Sequence, residues 1–213
     1  MKKILSIILI GVLMLSLFSP KKANAQARVN TIILPSAEKT GGIALMEALN
    51  LRKSSRSFSK TKISEQDLSN LLWAAWGYNR DGLKKRTAPS SMNKQEISVY
   101  CALETGLYYY NAKAHQLELI LAQDLRAHTG KQPFVATAPL NLIYVADSNK
   151  QSSLNASHTN SGFIAQNVYL YCASADMGTV VRAWYNDTKL HKAMELKKHQ
   201  NIILCQTVGY HKE

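Results

Sequence analysis

The chain has 213 residues with a formal net charge of +12, and 46% of them are apolar. This length favours one domain of ordinary size with a full hydrophobic core. The basic side chains are scattered and form no aromatic-interleaved stripe, which argues against a nucleic-acid-binding protein and favours solubility plus one anion-binding pocket.

Residues 1–25 have the pattern of a secretory signal peptide. Lys2 and Lys3 precede an apolar run from Ile4 to Phe18, and the sequence Ala23-Asn24-Ala25 offers a small-x-small cleavage site. The run is shorter than the roughly 20 residues that a membrane span needs. We expect cleavage after Ala25 and export to the periplasm or the medium, with no stable membrane anchor left; an uncleaved N-terminal anchor is the alternative. Cleavage lowers the formal charge from +12 to +8, because residues 1–25 contain four lysines and no acid.

The exported part divides into an irregular, polar segment over residues 26–42 and one domain over residues 43–213. The apolar spacing from Ile43 to Leu51 predicts a helix that ends at a basic segment. Ser64, followed three residues later by Asp67, has the capping pattern of a second helix, which ends near Gly77. The later run Lys84-Lys85-Arg86 is interpreted as a solvated loop.

The basic segment after the first helix predicts an anion site. If residues 52–56 are extended, alternate side chains share a face, so Arg52, Ser54 and Arg56 converge while Lys53 and Ser55 point away. The planar fork of arginine can pair with two phosphate oxygens at once. This face therefore predicts a phosphate clamp, with a solvated basic loop as the alternative.

From Ile97 the pattern becomes that of strands. Alternating apolar residues predict strands near 97–103 and 117–121, joined through a turn at Gly106, and a buried strand over 138–146. A long helix is expected over residues 157–177 with Gly178 at its C-terminal end, then a short helix capped by Asp187, then a strand over 202–208. Helices flanking a largely antiparallel sheet make an α+β fold.

The cysteines and histidines predict no metal site. Cys101, Cys172 and Cys205 stand in apolar surroundings and are interpreted as small buried hydrophobic residues, with a Cys172 to Cys205 disulfide as the alternative. The six histidines show no metal-ligand spacing.

Four segments, in this order, resemble the nitroreductase family of FMN flavoproteins. They are Arg52 to Phe58, Ala88 to Asn93, Gly162 to Asn167 with Met177-Gly178-Thr179 after it, and Val208-Gly209-Tyr210. The stretch from Val99 through Asn111 to Leu117 further resembles the branch that contains SagB-type dehydrogenases. The resemblance covers roughly residues 44 to 212. It implies a nitroreductase-like homodimer with FMN at the subunit interface.

The resemblance also implies roles for individual residues. Arg52, Ser54 and Arg56, with Lys53 as a further contact, would hold the FMN phosphate and ribityl end. Pro89, Ser90, Ser91 and Asn93 would lie against the flavin ring. Backbone groups near Arg182 and Ala183 would lie beside its reactive N5, where many members have Glu-Gly. Many relatives have a longer C-terminal tail with an arginine or lysine that binds the phosphate. In this sequence Lys212 is the only late basic residue that would take that role.

The side chain of Arg182 suggests two alternatives. A fixed cation near the flavin would favour the anionic reduced form and raise its potential. The other interpretation is a surface salt bridge.

The function implied by the resemblance is an exported FMN-dependent oxidoreductase acting on a small molecule. Hydride transfer would be ping-pong, between NAD(P)H or an organic substrate and the flavin. One alternative is a SagB-like dehydrogenase that returns electrons to oxygen or a quinone. A second is a non-catalytic exported module that binds an anion. No catalytic acid or base is identified.

Overall fold

The computed structural model describes residues 31–80, 82 and 84–212, so the expected signal peptide lies outside the described residues. The helices and strands are β1 (Thr31–Ile33), α1 (Leu45–Leu51), α2 (Glu65–Trp76), β2 (Tyr78–Arg80), β3 (Lys85–Arg86), β4 (Ile97–Leu103), β5 (Gly106–Asn111), β6 (Gln116–Leu121), β7 (Leu140–Asp147), α3 (Leu154–Ser174), β8 (Met177–Arg182), α4 (Asp187–Ala193) and β9 (Gln200–Tyr210).

Seven of the strands form one antiparallel sheet, in the order β1-β6-β5-β4-β7-β9-β8. Strands β2 and β3 form a separate hairpin. The long connection from β7 to β8 through α3 ends at the edge of the sheet, so β8 lies beside β9 and not beside β7. The predicted α+β fold with a mostly antiparallel sheet is confirmed.

The sheet is buried on both faces. Helices α2 and α3 cover one face, where Leu72, Trp76 and Ile164 pack with Leu142 and Tyr144 of β7. The smaller cluster on the other face includes Leu190 of α4 together with Ile143 and Val145. This alternation follows from the two-residue period of a strand, and it makes β7 the centre of the core.

Local signals explain where α2 begins and ends. The backbone N–H of Asp67 donates to Ser64 Oγ at 3.0 Å, and Gly77 is the C-cap, as the capping pattern predicts. Burial of Leu68, Leu71, Leu72 and Ala75 then fixes this helix on the sheet.

The prediction for the long helix was wrong at both ends. Helix α3 begins at Leu154 after the N-cap Ser153, and it ends at Ser174. The chain turns at Asp176, whose φ is +49°, so Gly178 is not a helix cap but a buried residue inside β8. The short helix α4 is capped by Asn186, whose side chain accepts from the Lys189 N–H at 2.9 Å, and not by Asp187.

Two segments expected to be irregular contain strands. Thr31–Ile33 pairs with β6, although residues 26–42 had been predicted to lack regular structure. Lys85 and Arg86, expected in a solvated loop, pair with Tyr78–Arg80. Tertiary pairing decides both cases, because a strand of two or three residues carries almost no periodic signal.

Cys101, Cys172 and Cys205 are buried and unpaired, as predicted. Burial raises the pKa of all three thiols, and that of Cys205 to about 12. Within the described part of the chain there is no cluster of three or more potential metal ligands. No helix there is long and apolar enough to cross a membrane.

Candidate functional site

The basic segment runs along β8 directly after α1. The Ser55 N–H donates to the Thr179 carbonyl at 2.9 Å, and Phe58 forms a β-bridge with His211. A Cβ on Gly178 would lie only 3.0 Å from the Ser55 Cβ. A glycine at this position therefore lets the segment pack closely against the strand.

Tyr169 of α3 organises the outer face of this segment. The Arg52 guanidinium lies 5.3 Å from the centre of the Tyr169 ring, and the Ser54 hydroxyl lies 2.9 Å from the Tyr169 hydroxyl. The Val181 N–H also donates to that hydroxyl, at 3.0 Å. Arg52 and Ser54 thus share a face, as predicted, while the Ser55 side chain lies against Gly178 of β8. The predicted position of Arg56 on the same face stays a prediction. Sequence reasoning missed Tyr169, because no local pattern links a helix residue to a segment more than a hundred positions earlier.

The cations of the segment are not neutralised within the described part of the chain. No carboxylate there forms an ion pair with Arg52, Lys53 or Arg56. Lys53, Ser54 and Arg56 are exposed, whereas Arg52 is partly covered. The unpaired Arg52 guanidinium near the exposed Ser54 hydroxyl is a donor set suited to a phosphate monoester.

The second predicted segment, Pro89 to Asn93, is a strained loop. Met92, Asn93 and Gln95 all have left-handed backbones, with φ of +53°, +54° and +48°. A non-glycine residue in this conformation costs about 1–3 kcal/mol, and such strain is often found at functional sites. Met92 is 85% exposed at the tip of the loop. The loop is therefore held in an unfavourable conformation while its tip faces outward.

Gln95 is the centre of the hydrogen bonds that hold the loop. Its N–H donates to Ser90 Oγ at 3.0 Å, and its side-chain amide donates to Asn93 Oδ1 at 3.0 Å and to the Lys84 carbonyl at 2.7 Å. Arg86 Nε donates to Gln95 Oε1 at 2.9 Å. These bonds fix the carboxamide of Asn93, which was expected to contact the flavin ring.

Arg86 anchors this network and is not the solvated residue expected from its sequence. Its guanidinium lies 4.6 Å from the Trp76 ring and 4.3 Å from the Tyr78 ring. Burial lowers the pKa of Arg86, while the neighbouring Tyr78 acts in the opposite direction. Stacking on two aromatic rings replaces the contact with water that a loop arginine would otherwise have.

A buried polar pair lies beneath the loop. Asn160 of α3 accepts a hydrogen bond from the Ser91 N–H at 3.2 Å, and its amide donates to Glu96 Oε1 at 2.7 Å. Glu96 is 1% exposed, and its other oxygen has no hydrogen-bond partner in the protein. The hydroxyl groups of Ser157 and Ser161, on the same face of α3, also lack a protein partner. Such a cluster is a natural position for buried water. Neither Glu96 nor Asn160 carried a recognisable signal in the sequence.

The side chain of Arg182 enters the protein, so its interpretation as a surface salt bridge was wrong. The residue is 5% exposed, and its guanidinium donates to the Thr129 carbonyl, Asn141 Oδ1 and Thr207 Oγ1 at 2.6, 2.8 and 3.0 Å. Burial lowers the pKa of this group, while the nearby Cys205 acts in the opposite direction. All three acceptors are neutral, so the network places an uncompensated cation at the end of β8. Ala183, the next residue, is exposed.

The predicted residues form two groups in one chain. Arg52 and Ser54 contact Tyr169, whereas Ser91 contacts Asn160, nine residues earlier on α3. Nine residues of α-helix span about 13.5 Å. Lys212 is exposed. Because the bridge between Phe58 and His211 is antiparallel, the chain after His211 runs back toward Ser57 and the basic segment, and a contact of Lys212 with the cofactor stays a prediction.

Comparisons with known proteins agree on the fold and the family. The sequence model of the nitroreductase family matches residues 49–210. A Ralstonia eutropha protein of known structure, provisionally named a nitroreductase, is 44% identical, with a TM-score of 0.82 over 86% of this chain and 90% of that one. A Methanocaldococcus jannaschii protein with the same provisional name is 27% identical over 81% of this chain and 93% of its own length. A Desulfovibrio desulfuricans structure, provisionally named a nitroreductase and solved in complex with FMN, has a TM-score of 0.62 at 17% identity, over 81% of this chain and 89% of that one.

Proposed function

The chain belongs to the nitroreductase family, and from this premise we propose that it is an exported FMN-dependent oxidoreductase that acts on small molecules. One observation carries the proposal: the Arg52 guanidinium and the Ser54 hydroxyl both lie against Tyr169, and Arg52, Lys53 and Arg56 have no acidic partner among the described residues. Three cations within five residues, with no acidic partner, produce a local positive charge that suits an anionic ligand.

The residues present fit FMN. Two arginines and a serine suit a terminal phosphate. The loop from Pro89 to Asn93 supplies polar groups on a backbone that is already fixed, as binding a rigid planar ring requires. The phosphate and the ring of the cofactor thus each have matching groups in the chain.

In this proposal, side chains and backbone groups of the protein bind FMN and orient it. Arg52, Ser54 and Arg56 hold the phosphate, and Lys53 adds positive charge nearby. Pro89, Ser90, Ser91 and Asn93 pack and hydrogen-bond along the ring. Backbone groups at Arg182 and Ala183 lie beside its reactive edge, with the buried Arg182 guanidinium supplying positive charge behind them.

Bound FMN supplies reversible hydride acceptance, so that a donor and an acceptor can react in turn at one site. NAD(P)H, or an organic substrate that is itself oxidised, is the proposed donor. Both substrates use one site, so ping-pong kinetics are expected. The polar loop and the Arg182 network orient the reacting groups.

We also propose a homodimer. Helix α1 leads directly into the clamp, yet Leu45 and Met46 are 63% and 75% exposed, and Phe163 on the adjacent α3 is 42% exposed. Exposed apolar side chains on these two packed helices favour a partner surface. A two-fold partner would bring its own loop, with Met92 at the tip, to the clamp of the first subunit. This arrangement would assemble one site from the two groups that lie apart along α3.

Export is proposed from residues 1–25 alone. Cell fractionation should find the protein outside the cytoplasm, and N-terminal sequencing of the mature form should begin at residue 26. A cytoplasmic protein that retains Met1 would contradict this part of the proposal.

The first test is the visible absorption spectrum of the purified protein, incubated with FMN, desalted, and then treated anaerobically with NADH or NADPH. A retained flavin band that bleaches supports the proposed reductase. A retained band that does not bleach favours a dehydrogenase that passes electrons to oxygen or a quinone. A folded, colourless protein would favour a non-catalytic anion-binding module.

A further inference from the structure

The outer face of the clamp depends on one side chain that binds nothing itself. Tyr169 is 8% exposed and contacts the clamp in two ways. Its ring lies 5.3 Å from the Arg52 guanidinium, and its hydroxyl lies 2.9 Å from the Ser54 hydroxyl. Of the described residues, only Tyr169 has contacts of this kind with both Arg52 and Ser54.

The hydrogen bonds of Tyr169 leave its hydroxyl hydrogen available to Ser54. The Val181 N–H donates to the Tyr169 oxygen at 3.0 Å. The Tyr169 hydroxyl hydrogen can then be donated to Ser54 Oγ, the other polar group bonded to this hydroxyl. With Tyr169 as the donor of this bond, Ser54 accepts from it and keeps its own hydroxyl hydrogen for a ligand outside. Since Ser54 is exposed, that hydrogen can be donated to a ligand from solution.

We infer that Tyr169 is the positioning residue that gives the site its preference for phosphorylated flavin over riboflavin. This inference rests on the proposed function. The ring supports the Arg52 guanidinium, and a hydrogen bond donated by the Tyr169 hydroxyl leaves Ser54 as a donor toward phosphate. Both effects are specific for the phosphate, because the flavin ring would be held by the separate loop at Asn93.

Two variants of Tyr169 separate the two effects. Tyr169→Phe keeps the ring beneath Arg52 but removes the hydroxyl, and we expect FMN to bind about five-fold more weakly, the effect of one ordinary hydrogen bond. Tyr169→Leu also removes the ring, and we expect a loss of about fifty-fold. Tyr171→Phe is the matched control, because its hydroxyl donates to Asp67, on α2 and away from the clamp, at 3.3 Å.

The measurement is the ratio of FMN to riboflavin dissociation constants, obtained by quenching of flavin fluorescence, together with the melting temperature of the flavin-free protein. Riboflavin has no phosphate, so its affinity for Tyr169→Phe should change less than about two-fold. A merely structural role would weaken both flavins equally and leave the ratio unchanged. That result would overturn the inference, as would an unchanged FMN affinity. The Tyr171→Phe protein should retain the wild-type ratio.

Failure of the proposed function would give a different set of flavin affinities from failure of the role of Tyr169. A wild-type protein that bound neither flavin would overturn the FMN assignment, and the role of Tyr169 with it. A wild-type protein that prefers FMN, with a Tyr169→Phe variant of equal preference, would overturn only the role of Tyr169. If Tyr169→Leu fails to fold, Tyr169→Phe decides the question alone.

Discussion

At the scale of single residues, the site is defined by where its positive charges lie and whether they are paired. Arg52, Arg86 and Arg182 are all covered to some degree, and none has a carboxylate partner among the described residues. Arg86 is held by aromatic rings, Arg182 by neutral oxygens, and Arg52 by one ring face. Arg52 is therefore the cation best placed to bind an anion from solution.

Arg52→Ala should weaken FMN binding by roughly 1.5 to 3 kcal/mol, the scale of a hydrogen bond to a charged group. The dissociation constant for FMN measures this effect directly. Lys113→Ala, at an exposed position on the turn between β5 and β6, is the control and should bind as the wild type does. An Arg52→Ala protein that purifies with full flavin content would show that the clamp is assigned to the wrong residues.

Arg182 should raise the midpoint potential of the bound flavin, because its charge is buried and uncompensated. Arg182→Met should lower that potential by more than about 30 mV, equivalent to a tenfold change in a two-electron equilibrium. Arg182→Lys keeps the charge and should remain near the wild-type value. Equal potentials in all three proteins, measured by equilibration with a reference dye, would exclude this electrostatic role.

At the scale of elements, the sequence predicted those parts of the fold that local signals determine. The cap at Ser64 and the glycine at 77 gave α2 its ends, and the alternation of β4 is visible in its residues. The end of α3 was not predictable, because the turn at Asp176 exists only where β8 pairs with β9. Tyr169 and Asn160 escaped notice for the same reason: their partners are distant in sequence.

The strained loop gives a test at this scale. Asn93→Gly should keep its fold, because glycine adopts a φ of +54° without cost. Asn93→Ala adds strain of about 1–2 kcal/mol at the same position. Both variants lose the bond to Gln95, so both should turn over more slowly while they still retain FMN. Urea unfolding should show Asn93→Ala to be the less stable protein. Unchanged turnover in both variants would remove Asn93 from the site.

A hydrogen-bonded cluster around His115 should make the stability of the protein depend on pH. His115 forms one hydrogen bond with Ser69 Oγ, at 2.7 Å, and another with the Tyr110 hydroxyl, at 2.9 Å. Ser69 also donates to the Pro35 carbonyl. The cluster thereby fastens the N-terminal segment to α2 and β5. Burial lowers the pKa of His115 below its ordinary 6.5, an effect that Lys39 reinforces and the Pro35 backbone opposes.

The sign of the pH effect follows from this shift. The unfolded chain binds the proton more readily than the folded one, so stability from His115 is complete above its ordinary pKa and is lost as pH falls through the folded-state pKa. Between about pH 7.5 and about pH 5.5 the urea midpoint should therefore fall. His115→Asn, which tolerates the left-handed φ of +49°, should flatten that slope. An equal slope in both proteins would assign the effect to other groups.

At the scale of the whole molecule, the exposed apolar face of α1 should make the protein dimeric. Met46→Glu places a charge where 75% of the side chain is exposed in one subunit, and it should give a monomer in light scattering coupled to gel filtration. FMN affinity should fall at the same time, because the site would be incomplete. Ile120→Glu, 45% exposed on β6, is the control and should stay dimeric. A wild-type protein that is monomeric at all concentrations would contradict the proposed assembly.

The spacing between Asn160 and Tyr169 on α3 sets a constraint on length, not on composition. Each added residue turns an α-helix by about 100° and lengthens it by about 1.5 Å. One insertion or deletion between these positions would turn Tyr169 away from the clamp or Asn160 away from the loop, even if every side chain were retained. Exposed positions in between, such as Gly162 and Gln166, can accept many substitutions. Relatives that share this site should therefore vary at the exposed positions between these two residues but never in the number of residues.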